Sequence, residues 1–205
     1  MRVVLASASP RRHELLAALL PEFEVSPAGI DEPLGSDAVA VACHLALEKA
    51  LHVTRAHPGA LVIGADTVVF DRDRPYGKPA GPSEARAMLE ALQGRHHKVV
   101  TGVAVATNAG ATSGASIATV TMRAMTSDDI TRYIDTGVPF GKAGAYAIQH
   151  DAFPVVERLD GCYCSVMGLP LWSLKALIEA AGVACASPSS SFARCATCPD
   201  RPASA

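Results

Sequence analysis

Two arginines stand where the sequence predicts the start of a helix. In residues 7–16 (SASPRRHELL), Ser9 is a good N-cap and Pro10 suits a first helical position, which puts Arg11 and Arg12 in the first turn. Free N–H groups and the macrodipole already make that end positive, and acidic residues are normally favoured there. A bound polyphosphate would be held by the N–H groups, the dipole and both guanidiniums at once. The alternative is that both side chains point into solvent at a small energetic cost.

A carboxylate follows the most apolar part of the chain. Residues 60–70 (ALVIGADTVVF) predict a strand buried on both faces, and we expect Asp66, which Thr67 follows, to end an apolar strand here. We expect the Asp66 carboxylate to emerge at the carboxyl end of that strand, where ligands bind in open α/β sheets. There it could bind a divalent metal or take a proton from water. An aspartate that only caps a turn is the alternative.

Other charged residues have both a chemical and an ordinary interpretation. Lys49 continues an apolar stripe on a predicted helix, for which snorkelling is the usual explanation. Lys78 (YGKP) and Lys142 (GKAGAY) lie in Gly-containing turns, which is typical of solvated surface charges. Asp31 and Glu32 lie in a loop bounded by Gly and Pro, where they could be metal ligands or simply solvated.

These residues must be positioned by alternating strands and helices. Apolar runs and period-2 patterns predict strands at 2–7, 23–27, 60–70, 97–107, 116–125 and 153–159. Helical spacing and caps predict helices at 10–20, 37–55, 83–92, 127–137 and 169–182. The interleaved order, with two long strands that form a hairpin or meander, predicts a mixed-sheet α/β or α+β fold. Beyond Val183 the composition shifts to Ser, Pro, Ala and Cys, so we expect one domain over 1–183 and a disordered tail over 184–205.

Composition and motif spacing narrow the classes of function. A net charge of −2 offers no excess of basic residues to bind a nucleic-acid polymer. No apolar run approaches the roughly 18 residues of a membrane span, and we expect a cytoplasmic protein. Residues 137–143 (GVPFGKA) have three residues between the glycines where a P-loop needs four, and no G-x-G-x-x-G follows a strand. Nothing therefore indicates a dinucleotide cofactor.

The six cysteines leave a zinc or redox role open. Cys195 and Cys198 have the spacing of half a zinc site, but the other half would be Cys162 and Cys164, which lack the usual C-x-x-C spacing. The Ser- and Pro-rich surroundings favour a mobile, solvent-exposed tail without metal.

Seven short segments together carry more information than any one of them. They resemble, in the same order and from about residue 3 to 171, the Maf family of nucleoside triphosphate pyrophosphatases: SASPRR, GIDE, EKA, GADTVV, GKP, KAGAYAIQ and GLPL. The resemblance implies a Maf/inosine triphosphatase-like fold, with a central mixed twisted sheet flanked by helices and a cleft between two lobes. It also implies hydrolysis of the α–β phosphoanhydride to a nucleoside monophosphate and pyrophosphate, with Mg²⁺ or Mn²⁺.

The resemblance also implies roles for individual residues. Asp66 would be the general base and a metal contact, and Glu32 would help to position the metal or the water. The phosphates would be held by Ser7, Arg11, Arg12, Lys49 and Lys78. Arg12, Thr67 and Gln149 look like the set of the branch acting on dTTP and UTP, and a glutamine amide can satisfy both the carbonyl and the N–H of a pyrimidine.

Two further points follow from the resemblance. Homodimers are common in the family, and its link with septum formation leaves a non-catalytic, nucleotide-binding regulator of division as the alternative function. Asp160, Cys162 and Cys164 stand where members more often have Asn, Ser and His. A redox-sensitive site wall and inert packing are both compatible with these cysteines, with packing favoured.

Overall fold

A mixed sheet forms the centre of the fold. The protein is described here by a computed structural model, which covers residues 1–32, 35–72 and 74–203. Within these residues seven strands pair in the order β2-β1-β3-β5-β6-β7, with β4 also on β3. They are β1 (Val3–Leu5), β2 (Glu24–Val25), β3 (Leu61–Asp71), β4 (Arg74–Tyr76), β5 (His96–Thr107), β6 (Gly110–Met122) and β7 (Val156–Asp160). The predicted mixed sheet is confirmed, because β1 runs parallel to β2 and β3 while the other pairs are antiparallel.

One edge of β3 contains a gap that positions the site. On one side β5 pairs with β3 continuously from Val62 to Phe70. On the other side β1 pairs only with residues 61–63, and β4 only with residues 69–71. Residues 64–68 of β3 therefore have no strand against that second edge among the described residues. Asp66 lies at the middle of this gap, inside β3, so the prediction that it ends a strand is wrong.

The helices cover the two faces of the sheet differently. They are α1 (Pro10–Ala17), α2 (Ala38–Thr54), α3 (Pro82–Leu92), α4 (Ser127–Asp135), α5 (Tyr163–Met167), α6 (Leu171–Ala180) and α7 (Pro188–Ser191). On one face α2 packs along β3 and β5. On the other face α1, α5 and α6 build one apolar cluster with β1, and α3 and α4 build a second with β5 and β6. The cleft lies between these two clusters. No helix in the described part of the chain is long and apolar enough to cross a membrane.

Two glycines bring α2 unusually close to the sheet. A Cβ atom built on Gly64 would lie 2.0 Å from the backbone oxygen of Ala46, and one built on Gly102 would lie 2.2 Å from that of Ala42. The sheet carries no side chain at these points and α2 presents alanines, so the backbones approach directly. This close approach sets the depth at which α2 presents Lys49 to the neighbouring strand.

Replacing Gly64 by alanine is expected to displace α2. The added methyl group meets helix backbone rather than a flexible side chain, and such overpacking costs about 1–3 kcal/mol or more. The control is Gly114→Ala in β6, where an added Cβ meets nothing within 4 Å; we expect a change within about 0.5 kcal/mol. Urea unfolding measures both variants, and an equal loss of stability in the two would contradict the close-approach argument.

The segment after Val183 differs from the predicted disordered tail. It contains α7 and a 3₁₀ turn at Ala193–Thr197, and its Cys195 and Cys198 are buried in the cluster formed by α1, α5 and α6. The indole Nε1 of Trp172 donates to the Cys195 carbonyl at 2.9 Å. The thiols of Cys195 and Cys198 are apolar, so this segment packs against the core although the rest of its sequence is rich in Ser and Pro. The domain boundary at Val183 stays a prediction, and residues 204 and 205 lie outside the described part.

Candidate active site

The cleft opens over the gap in the edge of β3. Its volume is about 820 Å³, which is within the usual range for small-molecule sites. Its lining comes from residues 6–12 at the start of α1, residues 27–30 with Glu32, Lys49 of α2, and residues of β3 and β5. Lys78, residues 140–143 and 146–149, and residues 166–168 at the end of α5 complete it. Several elements that are distant in sequence therefore contribute polar groups to one cavity.

A lysine joins two carboxylates on the α2 side of the cleft. The Nζ atom of Lys49 donates to Oδ1 of Asp66 at 2.6 Å and to Oε1 of Glu32 at 2.5 Å. Lys78 Nζ donates to the other oxygen of Glu32, Oε2, at 2.7 Å. Lys49 is only 6% exposed and Asp66 only 5%, so neither charge is solvated and the pair is buried. Because Asp66 is two residues after Gly64, it faces α2 as Gly64 does.

The carboxyl group of Glu32 stays ionised down to pH values well below neutral, because its pKa is low. Burial alone would raise the pKa of Glu32, but hydrogen bonds from Lys49 and Lys78, together with their charges, outweigh burial and lower it to about 2. The cleft wall thus presents two carboxylates, of Glu32 and Asp66. Carboxylates are the donors that hold Mg²⁺ together with substrate phosphates. Oδ2 of Asp66 has no hydrogen-bond partner among the described residues, so the donor set fits a divalent cation.

The guanidinium of Arg12 connects three elements of the fold by hydrogen bonds. Its Nε donates to the Gly168 carbonyl at 2.9 Å, and one Nη1 hydrogen bond reaches the Ala65 carbonyl at 2.8 Å. Nη1 also reaches Ser7 Oγ at 3.3 Å, and Nη2 donates to Thr67 Oγ1 at 3.1 Å. Burial lowers the pKa of Arg12, while the charge of Asp66 opposes the shift. One guanidinium thus links α1, the open edge of β3 and the end of α5.

Arg11 differs from Arg12 in its hydrogen bonding. Its side chain lines the cleft, and its buried Nε has no hydrogen-bond partner within the part of the chain that the structure describes. Lys142 also lines the cleft, and among the described residues its Nζ donates only to the Val138 carbonyl, at 2.6 Å. Burial lowers the pKa of Arg11, and burial together with the Arg11 charge lowers that of Lys142. No acidic side chain stands in the first turn of α1. This part of the cleft is therefore built for an anion.

One wall of the cleft is largely apolar. Tyr146 is buried, and its hydroxyl lies 2.7 Å from Nε2 of His97. Burial raises the pKa of Tyr146 and lowers that of His97 to about 4, so both are neutral at physiological pH. Phe140 is 38% exposed at the cleft mouth, and Gln149 lines the same wall. This wall offers an aromatic face and one amide.

The structure brings together all the residues singled out from the family resemblance. Those nine line one cleft: Ser7, Arg11, Arg12, Glu32, Lys49, Asp66, Thr67, Lys78 and Gln149. Asp31 is exposed and does not line it. Thr67 faces away from Asp66 and bonds Thr101, with 2.9 Å between the two hydroxyls. The sequence analysis named Lys142 but gave it no role in the site, and it did not single out Phe140; both line the cleft.

The chain belongs to the Maf family, because a family model described as "Maf-like protein" matches residues 2–181. A protein of Thermomicrobium roseum named dTTP/UTP pyrophosphatase is 45% identical over 208 residues, covering 99% of this chain and 95% of its own. One of Myxococcus xanthus with the same name is 47% identical over 183 residues, covering 88% and 93%. The first alignment extends well past Val183. Among solved structures, "The structure of the Staphylococcus aureus Ham1 protein" gives a TM-score of 0.36 and 11% identity over 60% of this chain and 72% of that chain, too distant for any argument.

Proposed function

We propose that this chain hydrolyses nucleoside triphosphates to the monophosphate and pyrophosphate, with dTTP and UTP as substrates. One observation carries the proposal: the buried Asp66 shares a cleft with Arg11 and Lys142, two cations that have no acidic partner among the described residues. A triphosphate supplies the missing negative charge. The relatives in Thermomicrobium and Myxococcus bear the name of this activity.

The cations of the cleft divide into two sets. Arg11 and Lys142, with the N–H groups at the start of α1, would hold the phosphate chain, and Ser7 lies beside them. Lys78, which is half exposed, would exchange its bond with Glu32 for a phosphate oxygen. Lys49 is buried between Asp66 and Glu32, so its main effect is to fix both carboxylates. Charge that grows on the phosphate oxygens then meets positive groups already in position.

Asp66 would act as the general base. Lys49 occupies its Oδ1, which leaves Oδ2 to accept a proton from water. The water oxygen then forms a bond to the α-phosphorus, the α–β anhydride bond breaks, and pyrophosphate leaves with the bridging oxygen. Glu32 and Asp66 would also hold Mg²⁺ or Mn²⁺. When bound, the cation neutralises charge on the phosphates.

Base selection would take place at the apolar wall. The amide of Gln149 offers a donor and an acceptor to a pyrimidine edge, and Phe140 offers a face for stacking. Arg12 and Thr67 are hydrogen-bonded to each other, so we expect substitutions at the two to have coupled effects on base preference.

A substrate panel tests the proposal. Canonical and modified triphosphates are incubated with Mg²⁺, with Mn²⁺ and with a chelator, and pyrophosphate and orthophosphate are assayed separately. We expect pyrophosphate from dTTP and UTP, and in ¹⁸O-water the label should appear in the monophosphate. Release of orthophosphate, or label in pyrophosphate, would contradict attack at the α-phosphorus. Binding without turnover would instead favour the regulator of septum formation. A cytoplasmic location and a homodimer stay predictions.

A further inference from the structure

Four cysteines that are separated by as many as 36 positions meet in the apolar cluster formed by α1, α5 and α6. Cys162 is the N-cap of α5 and Cys164 lies in its first turn, while Cys195 and Cys198 come from the segment after α7. All four are buried, with at most 9% of any one exposed, and all are free thiols.

The four sulfur atoms are neighbours, but they do not all lie within 4.8 Å of one another, so one metal ion would have to draw them closer together. Sγ of Cys164 is 3.5 Å from Sγ of Cys195. The sulfur atoms of Cys162 and Cys198 lie within 4.8 Å of each other, so the four thiols form two close pairs. Four sulfurs at about 2.3 Å from a tetrahedral Zn²⁺ would be about 3.8 Å apart. The ligand atoms of Cys162, Cys198 and Asp200 also lie within 4.8 Å of one another.

The backbone around the cluster supplies an N–H donor to sulfur. The Ser165 N–H donates to Sγ of Cys162 at 3.4 Å. Such a donor stabilises negative charge on sulfur and orients it, which is the role of the groups that surround a metal's ligands. Oδ2 of Asp200 is engaged elsewhere, since it accepts the Ser116 hydroxyl at 2.6 Å.

Contacts that involve no sulfur already hold the segment in place. Trp172 binds the Cys195 carbonyl, Ser116 binds Asp200, and the guanidinium carbon of Arg194 lies 4.4 Å from the ring centroid of Tyr163. The four thiols are therefore held in one cluster even without an ion. The unusual spacing of Cys162 and Cys164 is compatible with a site, because this pair could chelate through the turn that starts α5.

We propose that Cys162, Cys164, Cys195 and Cys198 bind one Zn²⁺ as a closed, four-thiolate structural site, with Asp200 outside the ligand set. The ion would fasten the C-terminal segment to α5, and the Gly168 carbonyl that holds Arg12 directly follows α5. This site is separate from the carboxylates that would hold a catalytic cation, so the proposal does not depend on the proposed function.

Metal analysis of the full chain tests the site. The protein is purified with a reductant, without chelators and without a histidine tag, and we expect about one zinc per chain. Cys195→Ser and Cys198→Ser should each lower the zinc content about tenfold or more. Cys185→Ser, outside the cluster, and Asp200→Asn should keep it. Loss of zinc in Cys185→Ser, or loss in Asp200→Asn with retention in Cys195→Ser, would overturn the ligand set.

Cobalt substitution keeps the test independent of how the variants fold. Wild-type protein stripped of zinc and loaded with Co²⁺ should show intense thiolate-to-cobalt absorption, which carboxylate sites cannot produce. Absence of that absorption in reduced protein that also lacks zinc would overturn the proposal. A Cys164–Cys195 disulfide in metal-free protein purified under nitrogen would do the same and would assign the cluster to redox chemistry.

Discussion

Replacing Asp66 by asparagine is expected to lower kcat for dTTP by about 10²–10⁴-fold, the usual contribution of a positioned general base. Asparagine has nearly the same shape, and its amide oxygen can still accept the hydrogen bond from Lys49. The amide cannot accept a proton from water. Because Lys49 keeps Glu32 as an ionic partner, it is not left as an unpaired buried charge, and the variant should fold.

The control for this variant lies on the same strand. Asp71→Asn removes a carboxylate at the end of β3 whose nearest cation, Arg95, is 3.8 Å away, and Asp71 does not line the cleft. We expect its kcat to stay within about twofold of wild type, because Asp71 lies outside the cleft. Steady-state kinetics with pyrophosphate detection and a thermal melt compare both variants. If Asp66→Asn turned over at the wild-type rate, another group would have to be the base.

The main elements were predictable because their signals are local. The cap at Asp37, whose Oδ1 accepts the N–H groups of Val39 and Ala40, and the His-Pro-Gly end define α2 from sequence alone. The apolar run of β3 is equally plain. What the sequence does not specify is which strands border β3 and over what length. The gap at residues 64–68 depends on the short pairings of β1 and β4, and β4 lies in a segment that is typical of a turn.

Non-local contacts account for the remaining differences. The tail looks polar by composition, yet Cys195 is buried by residues more than thirty positions away. Lys142 resembles a surface lysine until residues 140–149 fold across the cleft toward Arg11. Lys49 lies between these two cases, because its position was only partly predictable. Its position on an apolar stripe is visible in the sequence, but only the packing of Gly64 against Ala46 decides that it stays buried beside Asp66.

Replacing each of the two arginines at the start of α1 by glutamine is expected to have different effects. Arg11→Gln should raise KM for dTTP by roughly 10–100-fold, because a hydrogen bond to a charged group contributes about 1.5–3 kcal/mol. Its free energy of unfolding should change by no more than about 0.5 kcal/mol. The guanidinium makes no hydrogen bond through its buried Nε and stands in the field of Lys142, so the folded chain loses little.

Arg12→Gln should instead destabilise the fold by at least about 2 kcal/mol, since the carbonyls of Ala65 and Gly168 lose their donor in a buried setting. Without Arg12, the elements that line the cleft should be displaced. We therefore expect kcat to fall and KM to rise. Urea unfolding and kinetics on the pair separate the two roles. Equal destabilisation by both substitutions, or an unchanged KM in Arg11→Gln, would mean that the positive start of α1 serves the fold rather than a phosphate chain.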